Sequence, residues 1–372
     1  MRIALPAYPV SPSARDRWVL ELRGPKRALD PNRAHACVWE EEPDAAGTAV
    51  STAVLFLTNR ECPFRCAMCD LWMDTLDTTL SPGAIPGQIA HGLASLPPAA
   101  QVKLYNAGSF FDPQAIPPED DEAVAALVGD YARVIVEAHP AFLRGVHAER
   151  CLRFRDRLHG RLEVAVGLET ADPVTLERLN KRMTLDDVAR AADFLRQHDI
   201  DLRLFVLLHP PFMPAAHAVE WACRSVDLAA AYGAVACTVI PTRGGNGAME
   251  AIAREQGAGR WAGQNSAARM SGEDDVADST AGMAGEHTLA AGATGADRRV
   301  LAGLERVVEY GLSSAKPMRV FADLWDVARL AACRCAPRRV ERLRAMNREQ
   351  RVVAPVVCGC DACNAGVRDA GL

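Results

Sequence analysis

The sequence predicts an α/β fold: a partial (β/α)6 barrel with an N-terminal extension and a C-terminal Cys-rich extension. Three observations lead there. From Ser51 onward, short apolar runs rich in β-branched residues alternate with stretches of helical period, the pattern of repeated βα units on a parallel sheet. A hydrophobic fraction of 49% beside 24% charged residues, over 372 residues, gives a chain able to bury a large core. No run approaches the 18 or so consecutive apolar residues a membrane span needs, so no membrane association is expected.

Taken in order, residues 1–50 carry charge and proline and form the expected N-terminal extension, with one strand at Ala36–Trp39. The barrel occupies 51–252. Its strands are expected at Thr52–Leu57, Gln101–Tyr105, Arg133–Glu137, Leu162–Leu168, Leu202–Leu208 and Ala236–Ile240. Helices fall near Pro86–Leu96, Pro118–Leu127, Ala148–Leu158, Pro173–Arg178, Leu185–Gln197 and Ala216–Tyr232, several of them opened by Pro or Asp. From Ala253 to Arg299 the chain is rich in Gly, Ala and Ser without sustained apolar period, and reads as a disordered insertion that carries no chemistry. Residues 300–372 then supply a helix near Val300–Tyr310, a strand at Arg319–Leu324, an Arg-rich helix near Arg338–Arg348 and a Cys-bearing tail. There is no internal repeat beyond the βα alternation.

Forty-two Lys and Arg against forty-seven Asp and Glu leave a net charge of −5, so no overall field draws the chain to nucleic acid, and any such contact has to be local. The N-terminal MRIALPAYPV lacks a charged start followed by an apolar run, which leads to the expectation of a cytoplasmic protein. Twelve cysteines in that compartment are too many for disulfides, and thiolate metal ligation is the first reading to test.

The sharpest motif is Asn59-Arg60-Glu61-Cys62-Pro63-Phe64-Arg65-Cys66-Ala67-Met68-Cys69, a C-x3-C-x2-C loop just after the first barrel strand. Thiolates are soft ligands that suit zinc, Cu(I) or iron–sulfur. Structural zinc takes four protein ligands, usually in C-x2-C pairs. Three local cysteines without an obvious fourth fit a cubane with one open iron better. Buried or zinc-binding cysteines are the bland alternative.

This loop resembles the signature of the radical S-adenosylmethionine (SAM) superfamily. The resemblance implies that Cys62, Cys66 and Cys69 hold a [4Fe–4S] cluster whose open iron binds SAM. Met68 stands where that family often has an aromatic residue near adenine; an apolar thioether fills the same place. Further along, Asn106-Ala107-Gly108-Ser109-Phe110-Phe111-Asp112 looks like the family's SAM-amino-group motif in variant form. Gly167-Leu168-Glu169-Thr170, Asn180-Lys181-Arg182 and Leu207-Leu208-His209-Pro210-Pro211-Phe212 follow in the order of a branch that holds the archaeosine synthase radical SAM subunit. The likeness covers about residues 50–250.

Independently of the name, loops at the carboxyl ends of parallel strands form the active face of α/β folds, and Cys62, Asn106, Gly108, Ser109, Glu137, His139, Glu169 and His209 all fall there. Gly108 permits close backbone approach, and Asn106 and Ser109 offer polar groups to an ammonium. Glu169 suits ribose hydroxyls or that ammonium, while Lys181 and Arg182 suit the SAM carboxylate. Glu137, His139 and His209 are candidate SAM or substrate contacts. A strand-end carboxylate is otherwise a helix cap, a strand-end histidine a structural hydrogen-bonder, and the Lys181–Arg182 pair a solvated surface. Thr242-Arg243-Gly244-Gly245-Asn246-Gly247 reads as a phosphate-cradling loop or a flexible lid.

Cys333, Cys335, Cys358, Cys360 and Cys363 form a second group, expected to bind zinc or a second iron–sulfur cluster unless they are unligated surface thiols. Cys37, Cys151, Cys223 and Cys237 are isolated and expected in the core. Arg334, Arg338, Arg339, Arg342, Arg344, Arg348 and Arg351 form a basic stripe that either tracks a phosphate backbone or is a solvated face offset by acids. The function expected is reductive cleavage of SAM to a 5′-deoxyadenosyl radical that takes hydrogen from a small-molecule or natural-product substrate, with an electron donor such as flavodoxin or ferredoxin. The alternatives are a tRNA-modifying radical lyase like archaeosine synthase, with tRNA as partner, and a non-catalytic iron–sulfur or zinc protein.

Overall fold

The computed structural model describes residues 7–256, 295–314, 316–325, 327 and 334–357. Helix α1 (Pro12–Leu22) leads into an antiparallel hairpin of β1 (Ala36–Pro43) and β2 (Ala49–Leu57). The Asp44 side chain turns that hairpin by accepting from the N–H groups of Ala46 and Thr48, both at 2.9 Å, with Gly47 at φ +80°. From β2 the expected alternation sets in: α2 (Ala84–Ser95), β3 (Gln101–Asn106), α3 (Asp121–Val128), β4 (Arg133–Glu137), α4 (Val146–Arg155) and β5 (Arg161–Glu169). It continues through α5 (Pro173–Arg178), α6 (Leu185–Gln197), β6 (Asp201–Leu208), α7 (Ala218–Ala231), β7 (Ala236–Pro241) and α8 (Ala248–Glu255). Helix α9 (Gly295–Ser313), β8 (Arg319–Ala322) and α10 (Ala336–Glu349) complete the described chain.

The strands form one sheet in the order β1 to β8, parallel from β2 onward, which is the partial barrel the sequence predicts. Two strands read as belonging to the extensions are part of that sheet: β1 is its antiparallel edge, and β8 is a seventh parallel strand. Helices α1 and α8 lie in segments without legible apolar period. The expected insertion, Ala253–Arg299, lies largely outside the described residues, but Ala253 is buried within α8 and α9 begins before Arg299.

The sheet's outward residues, among them Leu55, Leu104, Val164 and Leu204, are fully buried beneath the helices. Its inward residues at the amino ends of the strands form an ion network. Lys103 meets Glu40 and Glu42, each at 2.6 Å; Arg203 meets Glu163 at 2.5 Å and also Glu42; Arg133 meets Glu163 at 2.8 Å and also Asp201. Arg319 of β8 reaches Glu42 of β1 at 3.1 Å, a bond between the first and last strands that requires the sheet to curl. Burial opposes the charge on Glu42, yet Arg203, Lys103 and Arg319 outweigh it and hold its carboxyl well below the usual range.

The Arg-rich helix α10 does not present one basic face. Arg339 and Arg342 are buried against Glu305 (3.0 Å) and Glu309 (2.6 Å) of α9, and Arg344 and Arg351 pair with Glu341 and Glu349. The helix is amphipathic, so alternate arginines are spent on packing. Cys37, Cys151, Cys223 and Cys237 are free thiols packed in or against the core, as expected. Of the tail cysteines, Cys335 is buried at the start of α10, while Cys333, Cys358, Cys360 and Cys363 lie outside the described residues. No helix among the described residues is long and apolar enough to cross a membrane.

Candidate active site

The cysteine loop leaves the carboxyl end of β2 with little secondary structure of its own, so other elements must satisfy its backbone. The Asn246 amide donates to the carbonyls of Ala67 (2.8 Å) and Cys69 (3.0 Å), and the Asn180 amide donates to that of Arg65 (2.8 Å). The Ala67 N–H bonds Leu179 O at 2.9 Å. Glu61 anchors the other side through Arg23 (2.5 Å), Lys26 (2.8 Å) and Arg65 (3.1 Å).

Cys62, Cys66 and Cys69 are free and half-buried by residue. Burial, reinforced by neighbouring groups, pushes Cys62 up to about 11, Cys69 to about 12 and Cys66 well above the usual thiol value; Cys69 and Cys62 both act on Cys66. Left to themselves such thiols stay protonated and inert, and a cationic core is what converts them to ligands. Among the described residues no three His, Cys, Asp or Glu side chains approach closely enough to hold a single metal ion. A zinc ion would draw its sulfurs to within about 4 Å of one another, given Zn–S bonds of about 2.3 Å. Three free, soft thiols on one short loop are the donors an iron–sulfur cluster takes, so the donor set fits a cluster.

Beside Cys62, the end of β3 leaves polar groups without partners. Both side-chain polar atoms of Asn106 and the hydroxyl of Ser109 are buried with no hydrogen bond among the described residues, at residue exposures of 3% and 1%. An orphaned buried polar group costs about 1–3 kcal/mol, which a bound ligand would recover. Gly108, at φ +148°, lies where a Cβ would come to 3.3 Å from Cys62 Cβ, so the bare backbone is what lets the loop approach.

At the end of β5 a bulge between Gly167 and Glu169 puts Glu169 in the left-handed region, φ 66°. Lys181 ion-pairs with the Glu169 carboxylate and donates to Gly167 O at 2.7 Å; a Cβ on Gly167 would overlap both charged ends. Burial works against the charge on Lys181, but Glu169 and Cys66 prevail and raise its pKa. Glu137 is near this pair. Its carboxyl accepts the Asn106 N–H at 3.3 Å, and burial pushes its pKa up to about 8, so it holds a proton at neutral pH.

Other expected residues are placed differently. Arg182 turns outward onto Asp16 of α1 at 2.5 Å. His139 uses both ring nitrogens on backbone: Nδ1 accepts from Ala141 N–H at 3.1 Å, so Nε2 carries the proton and donates to Lys181 O at 2.9 Å. Its ring stacks on Phe64 at 4.0 Å, and burial followed by Lys181 pushes its pKa down to about 3. His209 Nε2 meets Met213 O at 3.1 Å. Met68 packs against Met249 and Ala253. In the glycine-rich stretch the N–H groups of Gly245 and Gly247 are taken by the Glu250 carboxylate, at 2.6 and 2.7 Å, Asn246 is buried, and a Cβ on Gly247 would overlap the Leu22 carbonyl. Sequence reasoning missed Glu61, Asn180 and Asn246 as anchors. Glu61 lies within the motif, but Asn180 and Asn246 are 115 and 179 positions from the backbone groups they hold and carry no sequence signal of that role.

No protein-family model matches the chain. It is 27% identical over 228 residues to archaeosine synthase subunit beta of Methanosarcina acetivorans, 58% of this chain and 65% of that protein. It is 27% identical over 135 residues to the subunit of the same name from Thermococcus kodakarensis, 35% of this chain and 41% of that one. The matches therefore span less than two thirds of these relatives' length. Among solved structures, the radical SAM methyltransferase TsrM from Kitasatospora setae matches with TM-score 0.35 at 15% identity, over 50% of this chain and 36% of that one. Methylornithine synthase matches with TM-score 0.39 at 13% identity, over 63% and 60%. The resemblance to the archaeosine synthase branch read from the motifs is borne out by these relatives.

Proposed function

We propose that this chain is a radical SAM enzyme, with Cys62, Cys66 and Cys69 holding a [4Fe–4S] cluster and the groups at the ends of β3 and β5 holding SAM. Such a cluster supplies one electron, which cleaves SAM to methionine and a 5′-deoxyadenosyl radical. The observation that carries the reading is the pair of orphaned side chains beside the cysteine loop: an electron carrier or a zinc scaffold would need the thiols but not Asn106 and Ser109. In this reading Asn106 and Ser109 accept from the SAM ammonium, Lys181 presents its ammonium to the carboxylate, and Glu169 accepts from ribose hydroxyls. The anchors Glu61, Asn180 and Asn246 keep the thiols in register.

A second reading concerns the substrate. The likeness to archaeosine synthase subunit beta supports a tRNA-modifying activity that works with a partner subunit. The net charge of −5 and the divided arginines of α10 support a small molecule instead. Anaerobic reconstitution with iron and sulfide, followed by dithionite and SAM, tests the enzyme class. About four irons per chain and 5′-deoxyadenosine in the product are expected, rising to about eight irons if the tail cysteines hold a second cluster. A chain loaded with iron that leaves SAM intact would overturn the proposal.

A further inference from the structure

Among the described residues, the upper interior of the barrel is not fully packed. A closed barrel packs its inward residues into layers as dense as any core. Here the outward residues of the strands are buried, yet inward-facing Phe56, Tyr105, Phe205, Thr238 and Ile240 all keep part of their surface accessible. The hollow they line has a sealed bottom, the ion network of Lys103, Glu42, Arg203 and Glu163. Its upper rim carries Glu137, Gly167 and the cysteine loop.

Between that bottom and the rim lies a chain of aromatic rings. Trp325, just after β8, meets Phe56 of β2 at 5.5 Å; Phe56 meets Tyr105 of β3 at 5.9 Å; and Tyr105 meets Phe205 of β6 at 6.2 Å. All three contacts are edge-on, at 77°, 62° and 84°, so the rings mesh into a floor and are not stacked into one column. Tyr105 and Phe205 belong to strands three apart in the sheet, and Trp325 and Phe56 lie toward its opposite edges, so the floor bridges the lumen. In a chain only 6% aromatic, four linked rings in one hollow form a local concentration that an aliphatic ligand would not need. Trp325 is also half exposed, at 50%, which leaves its ring accessible to a ligand at the end of the row. The Tyr105 hydroxyl has no hydrogen-bond partner among the described residues, and the Glu137 carboxyl has only the Asn106 N–H.

We propose that this hollow receives a planar aromatic or heteroaromatic ring, lying on the floor of Phe56, Tyr105, Phe205 and Trp325 with its polar edge toward the Tyr105 hydroxyl and the Glu137 carboxyl. The inference rests on the radical SAM reading for its purpose, since it names the substrate class of the same site, but its geometry does not depend on the cluster. Flat rings gain from aromatic faces what a puckered ring of equal size cannot, because only the flat ring brings all its atoms into contact. A small free molecule and a nucleobase carried on RNA share this chemistry.

The test uses the full chain and a matched pair of neutral probes, phenol and cyclohexanol, each followed by saturation-transfer NMR titration. Phenol is expected to bind at least tenfold tighter, equal to about 1.4 kcal/mol. The Phe205→Leu variant should lose that preference, and so should Trp325→Ala, whose half-exposed position keeps the fold out of question. Equal binding of the two probes, or a preference that survives both substitutions, would overturn the proposal. Bulk tRNA is then added: displacement of phenol supports a ring delivered on RNA, and indifference supports a free small molecule. SAM cleavage is measured separately, so a chain that prefers phenol but leaves SAM intact removes the enzyme reading and keeps the ring site, and the converse result does the reverse.

Discussion

The two ends of the barrel are built on opposite principles. At the amino ends of the strands, Glu42, Glu163, Lys103 and Arg203 are buried, and each carries at least two opposite-charge contacts. At the carboxyl ends, Asn106 and Ser109 are equally buried, and their side-chain polar atoms bond to nothing among the described residues. Backbone strain divides the same way. Of the seven non-glycine residues with positive φ among the described residues, five (Glu169, Asn180, Arg182, His209 and Phe212) lie at or beyond the carboxyl end of β5 or β6. Each such residue costs on the order of 1–3 kcal/mol and persists where the surroundings enforce it. One end is satisfied and stabilises the fold; the other holds unspent hydrogen-bonding capacity and strain, as a site waiting for a ligand does.

The comparison is broken most severely at the top. Replacing Cys62, Cys66 or Cys69 by Ala should each bring SAM cleavage and cluster absorption to background while the iron-free chain unfolds at the same urea concentration as wild type. Production of 5′-deoxyadenosine by any of the three variants would contradict the assignment, and a collapse of stability would make the upper loop structural after all.

At the bottom the opposite outcome is expected. Arg203→Met removes the guanidinium between Glu42 and Glu163, which keep Lys103, Arg319 and Arg133 as their remaining partners, and taking one partner out of a buried ion pair costs up to about 3–5 kcal/mol. Urea unfolding should register that loss, while the protein that remains folded retains iron and cleaves SAM with an unchanged dependence on SAM concentration. A stable variant that had lost SAM cleavage would reverse the division of labour.

How much of this was legible in the sequence follows from what each end is made of. The parallel strands announce themselves because their outward faces and their middles are apolar or β-branched, as Val134, Ile135 and Val136 and the run Leu204 to Leu208 illustrate. The cysteine loop is legible because its ligands are local, within eight residues. The ion network is not, because Glu42 and Arg203 are 161 positions apart and each alone looks like an ordinary surface charge. The anchors Asn180 and Asn246 are hidden for the same reason. His139 was legible as a strand-end residue but not as one whose nitrogens are both committed, since the amide of Ala141 and the carbonyl of Lys181 come from different turns of the chain.

A finer probe of the upper end is its titration. Glu137 has its pKa raised from 4.5 to about 8 by burial, so the folded chain keeps a proton that the unfolded chain gives up. That contribution to stability is complete below about pH 4.5 and is lost as pH rises through 8. His139 acts in the other direction and only in acid, because its folded pKa of about 3 lies below the unfolded 6.5. Between pH 6.5 and 8 Glu137 is therefore isolated from His139, and at 1.36 kcal/mol per unit the loss is at most about 2 kcal/mol. Glu137→Gln should flatten this part of the profile. A wild-type urea midpoint that falls no faster than the variant's over the same interval would show that the carboxyl ionises freely.

The smallest substitution that separates the two ends is Gly167→Ala. Residues Val166 and Leu168 on either side point outward into the packed core, while the added methyl projects inward, onto the space held by Lys181 Nζ and the Glu169 carboxylate. Those are the free ends of side chains, so they move and the backbone does not: the variant should lose no more than about 1–2 kcal/mol of stability, within the ordinary range of point substitutions. Displacing the pair should nevertheless raise the SAM concentration for half-maximal 5′-deoxyadenosine formation about tenfold, equal to about 1.4 kcal/mol. Lys181→Met supplies the control. If the ammonium contributes through SAM, both variants shift the SAM dependence alike; if Gly167→Ala leaves that dependence unchanged while Lys181→Met destabilises the fold, the Lys181–Glu169 pair belongs with the ion network below and not with the site above.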